Sequence, residues 1–223
     1  MIYAGEVYIE EQLSDKPGRL CPTDSLLRIK EKNRYVSRGG LKLEKGLNHF
    51  GIMVDGALCL DAGASTGGFT DCLLQHNAGK VHAIDVAYGQ LAWKIRQDPR
   101  VVVRERFNIR NITPADIDYD EIDLAVMDVS FISLTTLLPP IVKLFAHHPA
   151  ILALIKPQFE LPRQEIGPGG VVSEPALHQK AIDKIETFVR QLGLCSKGTV
   201  PSPILGPKGN REFLIYLTAG HCT

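Results

Sequence analysis

The residues best placed to do chemistry begin at Asp61. The run Leu58-Cys59-Leu60-Asp61 leads straight into Ala62-Gly63-Ala64-Ser65-Thr66-Gly67-Gly68-Phe69, a buried-strand pattern that opens onto a glycine-rich turn. A turn of that kind, at the carboxyl end of a first strand, lets a nucleotide-like ligand approach the backbone closely. Asp85 follows 24 positions after Asp61, at the end of the next strand pattern, where a carboxylate accepts hydrogen bonds from ribose hydroxyls. Asn108, beyond a third pattern, is positioned for an adenine edge. The turn lacks regular dinucleotide spacing and carries an acidic side chain just ahead of its glycines, where a cationic amino group can sit. Both departures favour S-adenosylmethionine over NAD. The same glycines also fit a plain strand-to-helix turn, and Asp85 and Asn108 also fit turn or capping positions. Four further polar residues, Lys42, Asp128, Lys156 and Glu212, each adjoin a strand or helix pattern, so side chains far apart in sequence can converge on one site.

The elements that must position them follow a βα rhythm. Compact apolar runs at 57–61, 80–85, 101–105, 122–128 and 150–155 read as buried strands, and stretches near 69–75, 89–97 and 134–146 read as helices between them. Alternation of this kind predicts an α/β, Rossmann-like fold with a mainly parallel sheet covered on both faces. Ser37 is read as the cap of a helix running to Phe50, which Gly51 ends. The stretch after Lys156, with Pro157, Pro162, Gly167, Pro168, Gly169 and Gly170, is read as a long flexible active-site lid. An amphipathic helix over 174–193 and a hairpin from 194–200 and 212–218 then close the sheet. Ahead of all this, residues 1–32 hold two short β-like runs, 6–9 and 25–29, around the turn Ser14-Asp15-Lys16-Pro17-Gly18. Two domains are therefore expected, a small β module over 1–32 and a main domain over 33–223.

The motifs Tyr35-Val36-Ser37-Arg38-Gly39-Gly40-Leu41-Lys42-Leu43, DAGASTGGFTD at 61–71, MDVSFISL at 127–134, LIKPQFE at 154–160, GPGGVV at 167–172 and GNREFL at 209–214 together resemble the TlyA (hemolysin A) family of ribosomal RNA 2'-O-methyltransferases. That family is similar to the FtsJ-like methyltransferases. The resemblance implies a seven-stranded methyltransferase sheet, S-adenosylmethionine as cofactor, ribosomal RNA or ribosomal subunits as partner, and methylation of cytidine ribose. It places a Lys-Asp-Lys-Glu tetrad on Lys42, Asp128, Lys156 and Glu212. It implies cofactor contacts from Asp61, Gly63, Ser65, Thr66, Gly67, Gly68, Phe69, Asp85, Asn108 and Asp128. It also implies that residues 1–32 correspond to the C-terminal part of an S4 RNA-binding domain, without that domain's helical half.

The chemistry gives reasons for those residue types. A ribose 2'-hydroxyl is a poor nucleophile at neutral pH, so in-line attack on a sulfonium methyl needs alignment and stabilisation of charge developing on oxygen. Lys156, directly after a buried strand, is assigned activation and positioning; Asp128 orients its ammonium and touches the cofactor's charged end. Lys42 and Glu212 complete the network by holding the ribose and its phosphate. Phe131 and Phe159 flank the site and can stack on a flipped-out base, with core packing the first expectation for Phe131. His147 and His148 read as a solvated loop pair.

Charge and composition narrow the alternatives. Lysine plus arginine balance aspartate plus glutamate at 25 each, which argues against a wholly basic nucleic-acid clamp. Yet Arg28 to Lys45 holds seven cations against two anions, a candidate phosphate-binding stripe from which Arg34, Arg38 and Lys45 are taken as RNA contacts. That stripe weighs against a small-molecule methyltransferase. No apolar run approaches the roughly 18 to 20 residues of a membrane helix, which opposes a membrane-active haemolysin. The N-terminal sequence has no targeting pattern, so a cytoplasmic protein is expected. The five cysteines are odd in number and lack a C-x-x-C pair, indicating neither a zinc site nor a disulfide framework. A catalytically silent RNA-binding or assembly factor is the remaining alternative, and the complete tetrad argues against it.

Overall fold

A computed structural model describes Ile2, residues 7–29 and residues 33–220. The chain divides into two compact units, Met1–Arg34 and Tyr35–Thr223. In the first, β1 (Val7–Ile9) pairs antiparallel with both β2 (Gln12–Leu13) and β3 (Leu27–Ile29). The β1–β2 turn is made by Glu10 and Glu11, both with positive φ (48° and 63°). Such turns normally announce themselves as Asn-Gly or Asp-Gly. Two glutamates give no such signal, which is why β2 has no counterpart in the sequence reading. Glu6, Lys30 and Lys32, read as strand and stripe residues, lie outside the described residues.

The second unit is a seven-stranded sheet. Its strands are β4 (Leu58–Ala62), β5 (Lys80–Ile84), β6 (Val101–Arg104), β7 (Leu124–Met127), β8 (Ala150–Ile155), β9 (Leu194–Pro201) and β10 (Phe213–Ala219). The spatial order is β6-β5-β4-β7-β8-β10-β9, with the first five parallel and β10 antiparallel to both its neighbours. The order reverses direction between β4 and β7, so the carboxyl ends of those strands open a crevice for ligand.

Alternation along each strand sends side chains to two cores. Leu60, Ala125 and Met127 join Leu134, Leu137, Leu138 and Ile141 of α4 (Leu134–Val142) and Ala181, Ile185 and Val189 of α6 (Pro175–Gln191). Cys59, Val126 and Leu152 face the opposite way, toward Leu43 and Leu47 of α1 (Gly39–Phe50) and Phe69, Cys72 and Leu73 of α2 (Gly68–Gln75). The helix expected over 89–97 is a single turn, α3 (Trp93–Arg96); Gly89 lies outside it, and Arg96 closes the segment by an ion pair to Glu105 at 2.6 Å.

The segment read as a flexible lid is structured. It contains α5 (Pro157–Glu160) and two 3-10 turns, Arg163–Glu165 and Pro168–Gly170. Asn210, almost fully buried, secures it: its Oδ1 accepts from Val172 N at 2.9 Å and its Nδ2 donates to Gly170 O at 2.9 Å. Lys208 Nζ adds a bond to Gly169 O at 2.8 Å.

Candidate active site

Lys42 sits one turn into α1, Asp128 directly follows β7, Lys156 directly follows β8, and Glu212 directly precedes β10. Because β10 runs antiparallel beside β8, with Phe213 opposite Ile155, the start of one strand lies beside the end of the other. Glu212 thereby reaches the carboxyl edge of the sheet, where Asp128 and Lys156 already are. The four side chains converge: Lys156 Nζ lies 2.6 Å from Asp128 Oδ1, Lys42 Nζ 3.4 Å from Asp128 Oδ2, and Lys42 Nζ 2.7 Å from Glu212 Oε2. Lys156 also donates to Ser130 Oγ at 3.0 Å.

Burial makes these pairs strong and demanding. Glu212 is 0% exposed, Lys156 6% and Lys42 7%. Burial pulls the Lys42 ammonium down, but the Asp128 and Glu212 carboxylates outweigh it and its pKa is raised. Burial likewise works against the Asp128 carboxylate, yet Lys156 and Lys42 hold it below the usual range. The Lys42 and Asp128 shifts therefore both favour the charged form at neutral pH. Glu212 keeps one oxygen, Oε1, shut from solvent and without a hydrogen-bond partner. Room for it exists because residue 206 is glycine; a Cβ there would stand 2.1 Å from Glu212 Oε1.

Two cavities meet at this cluster. The first, about 540 Å³, is lined by Gly63, Ser65, Asp85, Asn108 and Asp128 among the residues anticipated for the cofactor. Gly63 has φ +91°, and a Cβ on it would lie 3.0 Å from Asp128 O, so the strand-to-turn junction requires glycine. Asp85 accepts from Ser65 N and Ala87 N, each at 2.7 Å, which leaves its outer lone pairs for ligand hydroxyls. Val86, Gln90, Phe107, Ile109 and Arg110 also line this cavity; they occupy irregular segments after β5 and β6, where periodicity carries no information. The second cavity, about 380 Å³, is lined by Lys156, Gln158, Phe159, Asn210 and Glu212. Ser130 and Phe131 border both.

Five residues anticipated at the cofactor do not line the first cavity. Gly67 and Gly68 have close neighbours: a Cβ on Gly67 would meet Leu91 Cδ1 at 2.9 Å, and one on Gly68 would meet Ser37 Oγ at 2.2 Å. Phe69 is 3% exposed, within the core beneath α2. Thr66 is exposed, with its carbonyl accepting from Ala92 N at 3.2 Å. Asp61 is fully buried, its Oδ2 accepting from Thr70 Oγ1 at 2.6 Å while Oδ1 has no partner. Burial raises its pKa to about 7, Thr70 opposes the shift, and the Asp128 and Asp85 charges add to it.

Phe131 departs from the core role expected for it. It is 89% exposed, holds φ +66°, and meets Phe159 with ring centroids 5.1 Å apart. A bulky residue at positive φ is costly and persists where its surroundings impose it, commonly at functional sites. Arg34, Arg38 and Lys45 are all exposed. No group of three or more metal-ligating side chains occurs among the described residues.

Fold and site together define an S-adenosylmethionine-dependent methyltransferase. Residues 35–219 match the FtsJ-like methyltransferase family, and the chain belongs to that family. It is 46% identical over 219 residues to the 16S/23S rRNA (cytidine-2'-O)-methyltransferase TlyA of Mycobacterium tuberculosis, covering 97% of this chain and 81% of the relative. It is 40% identical over 217 residues to Hemolysin A of Brachyspira hyodysenteriae, covering 97% and 90%. The solved structure of a "putative hemolysin" from Lactococcus lactis superposes with TM-score 0.82 at 50% identity, covering 85% of this chain and 90% of that one.

Proposed function

We propose that the protein methylates a cytidine ribose 2'-hydroxyl in ribosomal RNA. The observation that carries this reading is the convergence of Lys42, Asp128, Lys156 and Glu212 within ion-pair distance at the junction of two cavities. In it the first cavity takes the cofactor and the second takes the acceptor nucleotide. The cofactor, when bound, supplies a methyl group on a positively charged sulfur. Asp85 is suited to ribose hydroxyls, Gly63 to close backbone approach, and Asp128 to the charged end. Lys156, held by Asp128 and Ser130, aligns the acceptor hydroxyl and stabilises negative charge developing on its oxygen. Lys42 and Glu212 hold the ribose beside it. Phe131 and Phe159 offer a stacking wall for an extruded base, and Arg34, Arg38 and Lys45 offer contacts to the RNA backbone. Residues 1–32 act as a partial S4-like module on the same RNA.

A membrane-lytic activity, suggested by the name of the Brachyspira relative, gains nothing from the structure: among the described residues no helix is long and apolar enough to cross a membrane. The deciding experiment is transfer of tritiated methyl from S-adenosylmethionine to purified ribosomal subunits. Wild type incorporates label at ribose, and Lys156→Ala lowers the rate by roughly 10²-fold or more while cofactor affinity by calorimetry stays within a few fold. Equal incorporation by both proteins would sink the assignment of Lys156.

A further inference from the structure

One buried carboxylate near the second cavity has no part in methyl transfer. Glu160 ends α5, one residue past Phe159, and is 4% exposed. Its Oε1 accepts from Leu134 N, the first amide of α4, at 2.8 Å; its Oε2 accepts from Ser133 Oγ at 2.5 Å and from Lys184 Nζ of α6 at 3.0 Å. Lys184 Nζ also donates to the Glu160 carbonyl oxygen at 2.6 Å. Burying a carboxylate is costly unless donors surround it, and here the donors come from two helices and the residue that caps one of them. Glu160 thus ties the end of α5 to the start of α4.

What lies between the two ends of this region gives the tie a purpose. β7 and β8 are parallel neighbours, so the segments that follow them, 128–134 and 156–160, leave the same edge of the sheet. Lys156 bridges the two at the near end through Asp128 Oδ1 and Ser130 Oγ. Glu160 bridges them at the far end through Ser133 and Leu134. Phe131 and Phe159 meet between the bridges, ring centroids 5.1 Å apart and planes inclined by 46°, and both border the second cavity. With 89% of its surface exposed and φ at +66°, Phe131 is not held by core packing; its place depends on backbone secured on either side. We infer that Glu160 is a positioning residue for the acceptor base: it fixes the far end of this double bridge and so sets the Phe131–Phe159 wall relative to Lys156, without touching substrate. The inference rests on the 2'-O-methyltransferase reading and adds to it the means by which the base is aligned. A base resting on a fixed wall presents its ribose to Lys156 in one register, whereas a wall free to shift spreads the orientations and lowers the productive fraction.

The test is a double-mutant cycle on the full chain, read as kcat/KM for tritiated methyl transfer to purified ribosomal subunits. Glu160→Ala is expected to lower kcat/KM by roughly 10-fold, with the cofactor dissociation constant by calorimetry within about twofold of wild type. In a Phe131→Ala background the same substitution is expected to cost less than about twofold, because the wall it positions is already gone. A merely structural role for Glu160 would lower both backgrounds alike. Ser133→Ala removes the same bridge from the opposite segment with less risk to folding, and is expected to cost about threefold in the wild-type background and nothing measurable beside Phe131→Ala. Equal losses in the two backgrounds overturn the inference while the methyltransferase reading stands, whether read from Glu160→Ala or, where that variant does not fold, from Ser133→Ala. Undiminished kcat/KM in both single variants does the same. Absence of methyl incorporation into any ribosomal RNA by wild type overturns both.

Discussion

The two cavities are built on opposite plans. On the cofactor side the backbone supplies the order: Asp85 has both oxygens engaged by main-chain N–H groups, and Asn108 Oδ1 accepts from Arg110 N and Nε at 3.2 Å each. On the acceptor side the order comes from buried ion pairs between distant segments, with Glu212 Oε1 and Gln158 Oε1 left unmet and Phe131 held at positive φ. Local hydrogen bonds can fix the first cavity without ligand. The second gathers buried charges and a strained backbone position around the proposed acceptor, so its groups should affect turnover more than cofactor binding.

The largest expected effect is on the acceptor side. Glu212→Ala removes one of the two carboxylates facing Lys42 and should lower kcat by roughly 10³-fold, with the cofactor dissociation constant within about threefold of wild type. Calorimetry beside single-turnover rates tests it. An equal loss in both quantities would erase the distinction between the cavities.

The second effect lies beneath their junction. The Asp61 carboxyl, raised to about 7 in the folded chain, binds its proton more tightly than it does unfolded. Its contribution to stability is complete below the ordinary carboxylate range and is lost as pH rises through about 7. The lowered Asp128 carboxyl acts with the opposite sign: its contribution is present above the ordinary range and lost as pH falls through its lowered value. Unfolding free energy should therefore fall between pH 5 and 8 in wild type by an amount on the order of 2–4 kcal/mol, read as a falling melting temperature, and Asp61→Asn should flatten that slope. A slope unchanged by the substitution would mean that another group carries it.

On the cofactor side, Asp85→Ala should weaken S-adenosylmethionine binding by roughly 10- to 100-fold, about 1.4 to 2.7 kcal/mol, with a smaller loss of kcat at saturating cofactor. It also strands Ser65 N and Ala87 N, so hydrogen exchange at those two amides should accelerate. Loss of kcat with undiminished affinity would place Asp85 with the acceptor machinery instead.

The same contrast governs what the sequence makes legible. The cofactor side is written locally: strand, glycine turn and terminal carboxylate lie in succession, and β4, β5 and the junction at Gly63 can be read directly from residues 57–85. Even there, spacing does not reveal that Gly67 and Gly68 are closely hemmed by Leu91 and Ser37 or that the Phe69 side chain lies in the core. The acceptor side exists only after folding. Lys42 reads alone as a helix cation and Glu212 as a strand-edge charge, and only the resemblance joins them to Asp128 and Lys156. Their meeting depends on β10 inserting between β8 and β9, and on α1 packing over that edge.

The smallest effect isolates strain from contact at Phe131. Its backbone sits where glycine is at ease and phenylalanine is not, and its ring is almost wholly exposed, so little packing is lost on its removal. Phe131→Gly relieves the strain but also gives the unfolded chain more freedom, two changes of about 1 kcal/mol each that oppose one another. Phe131→Ala loses the same ring without relieving φ. The glycine variant should therefore melt no lower than the alanine variant, while both lose turnover by a similar factor of roughly 10, from the missing stacking surface. Should alanine melt higher, the positive φ is not a stored cost. Should either variant keep full turnover, the wall over the second cavity is not what an extruded base rests on.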